Sequence, residues 1–231
     1  MTAASIRARV RAEMIEEIKA AARRHLAVDG ANLSLRAVAR ELGMVSSALY
    51  RYFASRDDLL TALIVDAYDA VGAAAERAEA DIDRADLLGR WLAVCHAVRD
   101  WALANPHEYA LIFGSPVPGY RAPQDTIAPA SRVPLVIGAI VRDGYAAGRL
   151  AAEQGEPVPT GVQSDLAEVT EQAAPGAPPA LFARGMGAWT LLFGAVSFEL
   201  FGQLNNVVDD RPAYFEYQMR AAARTVGLAE G

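Results

Sequence analysis

The chain has a single cysteine, three histidines, no proline before Pro106 and only Gly30 and Gly43 as glycines in its first sixty residues. One cysteine, Cys95, excludes an internal disulfide, and so few thiols and imidazoles leave little from which to build a metal cluster or a nucleophile with its base. A glycine-rich phosphate loop is also missing, so the residues argue against an enzyme and call for no cofactor or metal. There is no internal repeat and no alternating apolar–polar pattern bounded by turns, which argues against strands. The opening segment, MTAASIRARVRAEM, has arginines but no apolar stretch behind them; it predicts no signal peptide and a cytoplasmic protein. The longest uncharged stretch, Gly185 to Phe198 between Arg184 and Glu199, falls short of the roughly 20 apolar residues that cross a bilayer, which predicts a buried helix and no membrane partner.

What is present is helix. A chain of 231 residues that is 53% hydrophobic and 8% aromatic can bury one core, or a small one and a larger one. With no proline and few glycines, the first hundred residues read as nearly continuous helices. The first runs from about Ile6 to Val28 and buries Met14, Ile15, Ile18, Ala22 and Leu26. The fourth begins near Ser55 and continues through Leu59, Leu63, Ala67 and Val71 to about Ala80. A fifth spans Asp86 to Ala104, with Leu88, Leu92, Cys95 and Val98 or Arg99 at helical spacing. Asn105-Pro106 breaks it before a short helix with Tyr109, Ile112 and Phe113. Gly114 to Ala130, holding four prolines, reads as a loop, followed by a helix from Arg132 to Arg149. A second loop, Ala151 to Gly161, leads into a polar stretch to Pro179, and two helices, Leu181 to Leu204 and Ala213 to Val226, close the chain.

Residues 33 to 60 carry most of the functional information. Ser34 is a suitable N-cap, and Leu35, Val38, Ala39 and Leu42 recur at i, i+3, i+4 and i+7, which predicts a short helix with one buried stripe. Gly43 ends it, and the next helix starts within three or four residues, the helix-turn-helix spacing. Leu49 and Phe53 then point inward with Met44. Ser46, Ser47, Tyr50, Arg51 and, at the edge, Tyr52 remain outside. Small residues at the start of a recognition helix admit its backbone to the major groove, while hydroxyls and guanidinium groups reach phosphates or base edges. The same pattern also fits a plain three-helix packing unit whose tyrosines are half-buried. Charge is uneven: residues 1–60 carry a net +3 and the remainder −9 of the total −6, a basic head on an acidic body. Arg7, Arg9 and Arg11 read either as an arm for the minor groove or as a solvated first turn.

Residues 9 to 64, and above all Leu49-Tyr50-Arg51-Tyr52-Phe53 with Ser55-Arg56-Asp57-Asp58-Leu59-Leu60, resemble the DNA-binding domain of the tetracycline-repressor (TetR) family. The resemblance implies an all-α protein. A three-helix DNA-binding head (residues 1–56) would be joined by a long fourth helix, without a flexible linker, to a ligand-binding and dimerisation body (residues 57–231). It implies base contacts from Arg36, Val45, Ser46, Ser47, Ala48 and Arg51, and phosphate contacts from Ser34, Tyr50, Tyr52 and Arg56. Arginine at position 56 stands where the family usually has lysine and keeps the charge. The family's usual capping serine or threonine is Val45 here, so either the helix begins later with Ser46 as cap, or Val45 offers its methyls to a thymine methyl.

The body bears a second resemblance. Trp189, Gly194 and Glu199 fall where a Trp-His-Gly subgroup of TetR-like regulators has a tryptophan, a His-Gly pair and a glutamate, with Phe193 replacing the histidine. In the family the last two helices pair with a twofold mate, which places Ala188, Gly194, Phe198 and Phe215 at a homodimer interface; close packing inside one subunit is the other use of such small residues. A small, largely apolar effector is implied, with Trp91, Cys95, Tyr109, Trp189 and Phe193 as candidate contacts, although aromatics in a helical body are often ordinary core. The expected function is a repressor released from a palindromic double-stranded operator by that effector; an effector-independent or activating regulator is the alternative.

Overall fold

The computed structural model describes residues 3–29, 33–151 and 156–228, and among these it contains ten α-helices and no strand. Contacts group the chain into two compact units. The first takes residues 1–68 and 105–127, the second residues 69–104 and 128–231. The unit around the helix-turn-helix is thus larger than residues 1–56: it also holds the first turns of the fourth helix and the short segment after Asn105.

In the first unit lie α1 (Ala3–Asp29), α2 (Leu35–Glu41), α3 (Ser46–Leu49), the start of α4 (Arg56–Ala80) and α6 (Pro106–Phe113). Ile18, Ala22 and Leu26 of α1 meet Leu35, Val38 and Ala39 of α2, Leu49 and Phe53, and Leu59 and Leu63 of α4 in one core. Met14 and Ile15 pack only at its edge. Ion pairs fasten its rim: Asp66 of α4 accepts from Lys19 and Arg23, and Arg23 also donates to Glu108 of α6 at 2.7 Å.

The second unit contains the rest of α4, α5 (Leu87–Ala104), α7 (Ile127–Ala146), α8 (Thr160–Ala173), α9 (Pro179–Leu200) and α10 (Arg211–Val226). Helix α9 packs against α5, α8 and α10. It is long and apolar enough to cross a membrane by length and composition, yet Leu181, Leu192 and Val196 are buried within the unit. Three expectations need correction here. Helix α7 begins at Ile127 rather than Arg132, because Pro129 falls in its first turn, where a missing N–H costs nothing; Pro134 is accommodated inside the helix. The polar stretch before Pro179 is a helix, α8, whose Val162, Leu166, Val169 and Ala173 form a stripe one residue wide. Of the loop expected over 151–161, residues 152–155 lie outside the described residues. Finally, α5 buries Leu87, Trp91, Val94, Cys95, Val98 and Ala102, with Leu88 and Leu92 only half-buried. Cys95, Val98 and Arg99 face inward as expected, but over the first turns the inner positions are Leu87, Arg90, Trp91 and Val94 in place of Leu88 and Leu92.

Arg90 is fully buried and fully engaged. Its Nε donates to Glu79 at 2.6 Å, Nη1 to the Arg84 carbonyl at 3.2 Å and Nη2 to Asp143 at 2.9 Å, tying the end of α4 to α5 and α7.

Candidate DNA-binding surface and body cavity

The helix-turn-helix is built as its residues dictate. The Ser34 hydroxyl accepts from the Ala37 N–H, and Gly43 takes the left-handed conformation at φ 65°, which a glycine adopts without a Cβ clash. Helix α3 is short. Its N-cap position is Val45, in extended conformation and with no side-chain cap, so Ser46 is the first helical residue rather than the cap. After Leu49 the chain tightens into turns through Arg51 N–H to Ala48 O (3.3 Å) and Tyr52 N–H to Leu49 O (2.9 Å), before Phe53 returns to the core.

Val45 is 69% exposed and Tyr50 48% exposed; Ser47 and Arg51 are exposed, and Ser46 and Ala48 are half-buried beside them. A bare valine held at the very tip of the helix N-terminus has its methyl groups free for apolar contact. Most basic side chains of this unit are occupied: Arg9 with Glu13, Arg24 with Glu41, Lys19 and Arg23 with Asp66. Arg36 and Arg51 are exposed and make no ion pair with any described residue. The same is true of Arg40, one turn after Arg36 on the same stripe of α2. Arg40 was not among the sequence candidates, although the i, i+4 spacing of two arginines was there to be read.

Two candidates are positioned by the protein itself. Arg56 donates from Nε to the Leu33 carbonyl at 3.0 Å and pairs with Asp57 at 3.4 Å, so its guanidinium is held where α4 begins. Tyr52 lies under Arg11, whose guanidinium carbon is 5.1 Å from the ring centre and whose Nη2 donates to the Arg51 carbonyl at 3.1 Å. Arg7, Arg9 and Arg11 all belong to the helical first turns of α1 rather than to an extended arm, and Arg11 braces the turn that presents Arg51.

The body holds a cavity of about 160 Å³ between α7, α8 and α9. Pro134, Ile137, Gly138 and Val141 line it from α7, Val169 from α8, and Phe182, Gly185, Met186 and Trp189 from α9. Of the five residues expected to bind ligand, Trp189 alone is in this wall. Trp91 is buried in the helical core with its Nε1 donating to the Met219 carbonyl at 2.9 Å. Cys95 is buried beside it, and burial, with the Glu216 carboxylate adding to it, pushes its thiol well above the ordinary range, so it offers no thiolate. Phe193 packs with its ring 5.6 Å from Trp189, on the core side of α9, and Tyr109 belongs to the other unit, fully buried against Phe113. Among the described residues no group of three or more metal-ligating side chains is gathered.

The four interface candidates divide evenly. Gly194 and Phe198 lie on the outer face of α9. Ala188 and Phe215 do not: both are almost wholly buried within the protomer, Phe215 with the Arg99 guanidinium 5.4 Å above its ring. The small residue at 188 serves close packing inside one subunit.

Residues 18–63 match the model of bacterial regulatory proteins of the tetR family, and residues 91–222 match that of the tetracyclin repressor-like C-terminal domain. The HTH-type transcriptional regulators Rv1816 of Mycobacterium tuberculosis and Mb1846 of Mycobacterium bovis are each 39% identical over 201 residues, 86% of this chain and 86% of theirs. Among solved structures, SCO4313, described as a regulatory protein, superposes with a TM-score of 0.76 at 36% identity, covering 93% of this chain and 97% of that one. A tetR-family protein from Shewanella sp. PV-4 shares the fold at a TM-score of 0.58 and 20% identity over 90% of this chain and 96% of its own. Exposed helix-turn-helix, helical body and relatives agree: the chain belongs to the TetR family of bacterial transcriptional regulators, DNA-binding proteins that are not enzymes.

Proposed function

We propose that this regulator is a homodimeric, cytoplasmic repressor that holds a near-palindromic operator and leaves it when the body binds a small, largely apolar effector. The observation that carries the DNA reading is the exposed surface of α2 and α3, where Arg36, Arg51 and Val45 stand exposed, the two arginines without an ion pair to any described residue. In this reading Arg36, Val45, Ser46, Ser47, Ala48 and Arg51 face bases, and Ser34, Tyr50, Tyr52 and Arg56 face phosphates, with Arg40 as an added phosphate contact. Dimerisation is supported by the outer face of α9, where Leu191, Phe198 and Phe201 are large, apolar and exposed around Gly194. A twofold pairing there would set the spacing of two recognition helices, and the operator would share that symmetry. Trp189, Gly194 and Glu199 support placing the body with the Trp-His-Gly subgroup, Glu199 acting as the buried partner of Arg99. The cavity between α7, α8 and α9 supports the effector, and α4, one continuous helix from Arg56 to Ala80, would carry a displacement along its axis.

An effector of this kind works only by preferring the arrangement that cannot bind DNA; turning a 99:1 population into 1:99 takes about 5.5 kcal/mol of differential affinity. The test is selection of bound sequences from random duplex DNA, followed by a reporter driven through the selected site. A palindromic consensus with lowered transcription is expected. Raised transcription would make the protein an activator, and a protein that binds no duplex DNA in a salt-dependent way would overturn the reading.

A further inference from the structure

Arg51 lies two residues past the end of α3, where carbonyls no longer have the helix's own donors. The peptide unit that joins it to Tyr52 is nevertheless held at both poles. Its N–H donates to the Leu49 carbonyl at 2.9 Å, and its carbonyl accepts from Nη2 of Arg11 at 3.1 Å, a partner 40 positions away on α1. The Arg11 guanidinium also stands 5.1 Å over the centre of the Tyr52 ring. A planar guanidinium can lie on an aromatic face and donate in its own plane at the same time, which an ammonium cannot. The clamped peptide is the one whose rotation would swing the side chains of Arg51 and Tyr52.

We infer that Arg11 is a positioning residue for DNA recognition: by fixing the peptide between residues 51 and 52 it sets the direction of Arg51, and so sharpens discrimination between base pairs without itself touching DNA. Its two visible contacts are both to the turn and use the hydrogen-bonding edge and the face of the guanidinium together. The role differs from that of a minor-groove arm, which would spend the same charge on DNA, and from that of Arg56, which is itself held by a carbonyl. It rests on the reading above in which Arg51 faces bases; the clamp on the turn does not.

The probes are the consensus duplex that the parent chain selects from random DNA and its single-base-pair variants, bound at several salt concentrations by the full chain. Arg11→Met and Arg11→Lys should each lower discrimination by about two- to tenfold, the range of one net hydrogen bond, and leave the salt slope of the parent. In an Arg51→Ala background Arg11→Met should change discrimination no further, because the side chain it directs is gone. A salt slope lower by about one in Arg11→Met, with Arg11→Lys like the parent in slope and discrimination, would make Arg11 a phosphate contact and overturn the positioning role. Amide hydrogen exchange of the DNA-free chain reads the clamp separately: exchange over residues 50–53 should quicken in both variants while the melting temperature stays that of the parent, Arg11 being exposed. Unchanged exchange there would overturn the clamp. If exchange quickens but Arg51→Ala itself leaves discrimination intact, the fault lies in the DNA reading of Arg51, and the clamp stands without the role in recognition.

Discussion

Arg99 and Glu199, one hundred positions apart, meet as a two-pronged ion pair inside the body: Nε donates to Oε2 at 2.8 Å and Nη2 to Oε1 at 2.6 Å. Both side chains are almost buried, and the guanidinium also covers the Phe215 ring, so the pair joins α5, α9 and α10. Removing one charge strands the other in a site it cannot leave. Arg99→Met should therefore cost about 3–5 kcal/mol, whereas Arg99→Met with Glu199→Leu should recover most of that loss. Urea denaturation of the parent, the two single variants and the double variant gives the coupling directly; additive effects would mean that the pair contributes nothing beyond its separate packing.

Arg51 and Arg56 should fail in different ways. Arg51 is exposed on the helix-turn-helix and makes no ion pair with any described residue, so Arg51→Ala should relax discrimination at particular base pairs by about 1–3 kcal/mol. Arg56 is oriented by the Leu33 carbonyl, and Arg56→Ala should weaken every sequence alike and lower the salt slope by about one. Arg56→Lys keeps the charge and loses the Nε anchor, so it should retain the salt slope. Competition binding at several salt concentrations separates these outcomes. Equal loss of specificity from Arg51→Ala and Arg56→Ala would show that the face has been assigned wrongly.

Local signals were legible and long-range ones were not. Ser34 as cap, Gly43 at positive φ, the Leu35-Val38-Ala39 stripe and the buried line Leu59-Leu63-Ala67-Val71 all follow from rules that act within a few residues. Helix α8 escaped because its apolar stripe is so narrow and so flanked by proline and polar residues that its composition is that of a loop. The inner face of α5 was legible at Cys95 and at Val98 or Arg99 but not over its first turns, because Arg90 counts as a surface residue until Glu79 and Asp143 are found to meet it. Of the residues expected around a ligand, only Trp189 lines the cavity. Large aromatics such as Trp91 and Phe215 fill space, while the cavity lies between three helices, α7, α8 and α9, and no single residue announces that.

Gly194 separates packing inside the protomer from pairing between protomers. A Cβ built there meets nothing within 4 Å, so Gly194→Glu should keep the helix content of the parent, and a glycine replaced in a helix interior removes a propensity penalty. At the centre of a twofold interface the same carboxylate would face its own copy. Sedimentation should find the parent chain dimeric and the variant monomeric, with operator affinity reduced tenfold or more, about 1.4 kcal/mol. Ala188→Glu is the contrasting variant: that position is buried within the protomer, so the fold itself should be lost. A parent chain that is monomeric at micromolar concentration would dispose of the dimer.

Acid should attack the body through three carboxylates. A hydrogen bond from Arg132 holds Glu76 below the ordinary carboxylate range. Burial works against ionising Asp143, but hydrogen bonds from Arg142 and Arg90 outweigh it. Glu216 is likewise buried against its charge, yet hydrogen bonds from His96 and Arg220 hold it down. Groups whose folded pKa is depressed stabilise the fold above their unfolded values, near 4 for Asp and Glu, and lose that contribution as pH falls through the folded value. The urea midpoint should therefore be nearly level from pH 7 to about pH 5 on account of these groups and decline below about pH 4. Arg132→Met and Arg220→Met should each lower the midpoint at pH 7 and make the acid decline shallower, since the carboxylate has lost the partner that depressed it. Urea titrations from pH 7 to pH 3 measure both effects; an acid decline as steep in the variants as in the parent would show that these pairs are not its source.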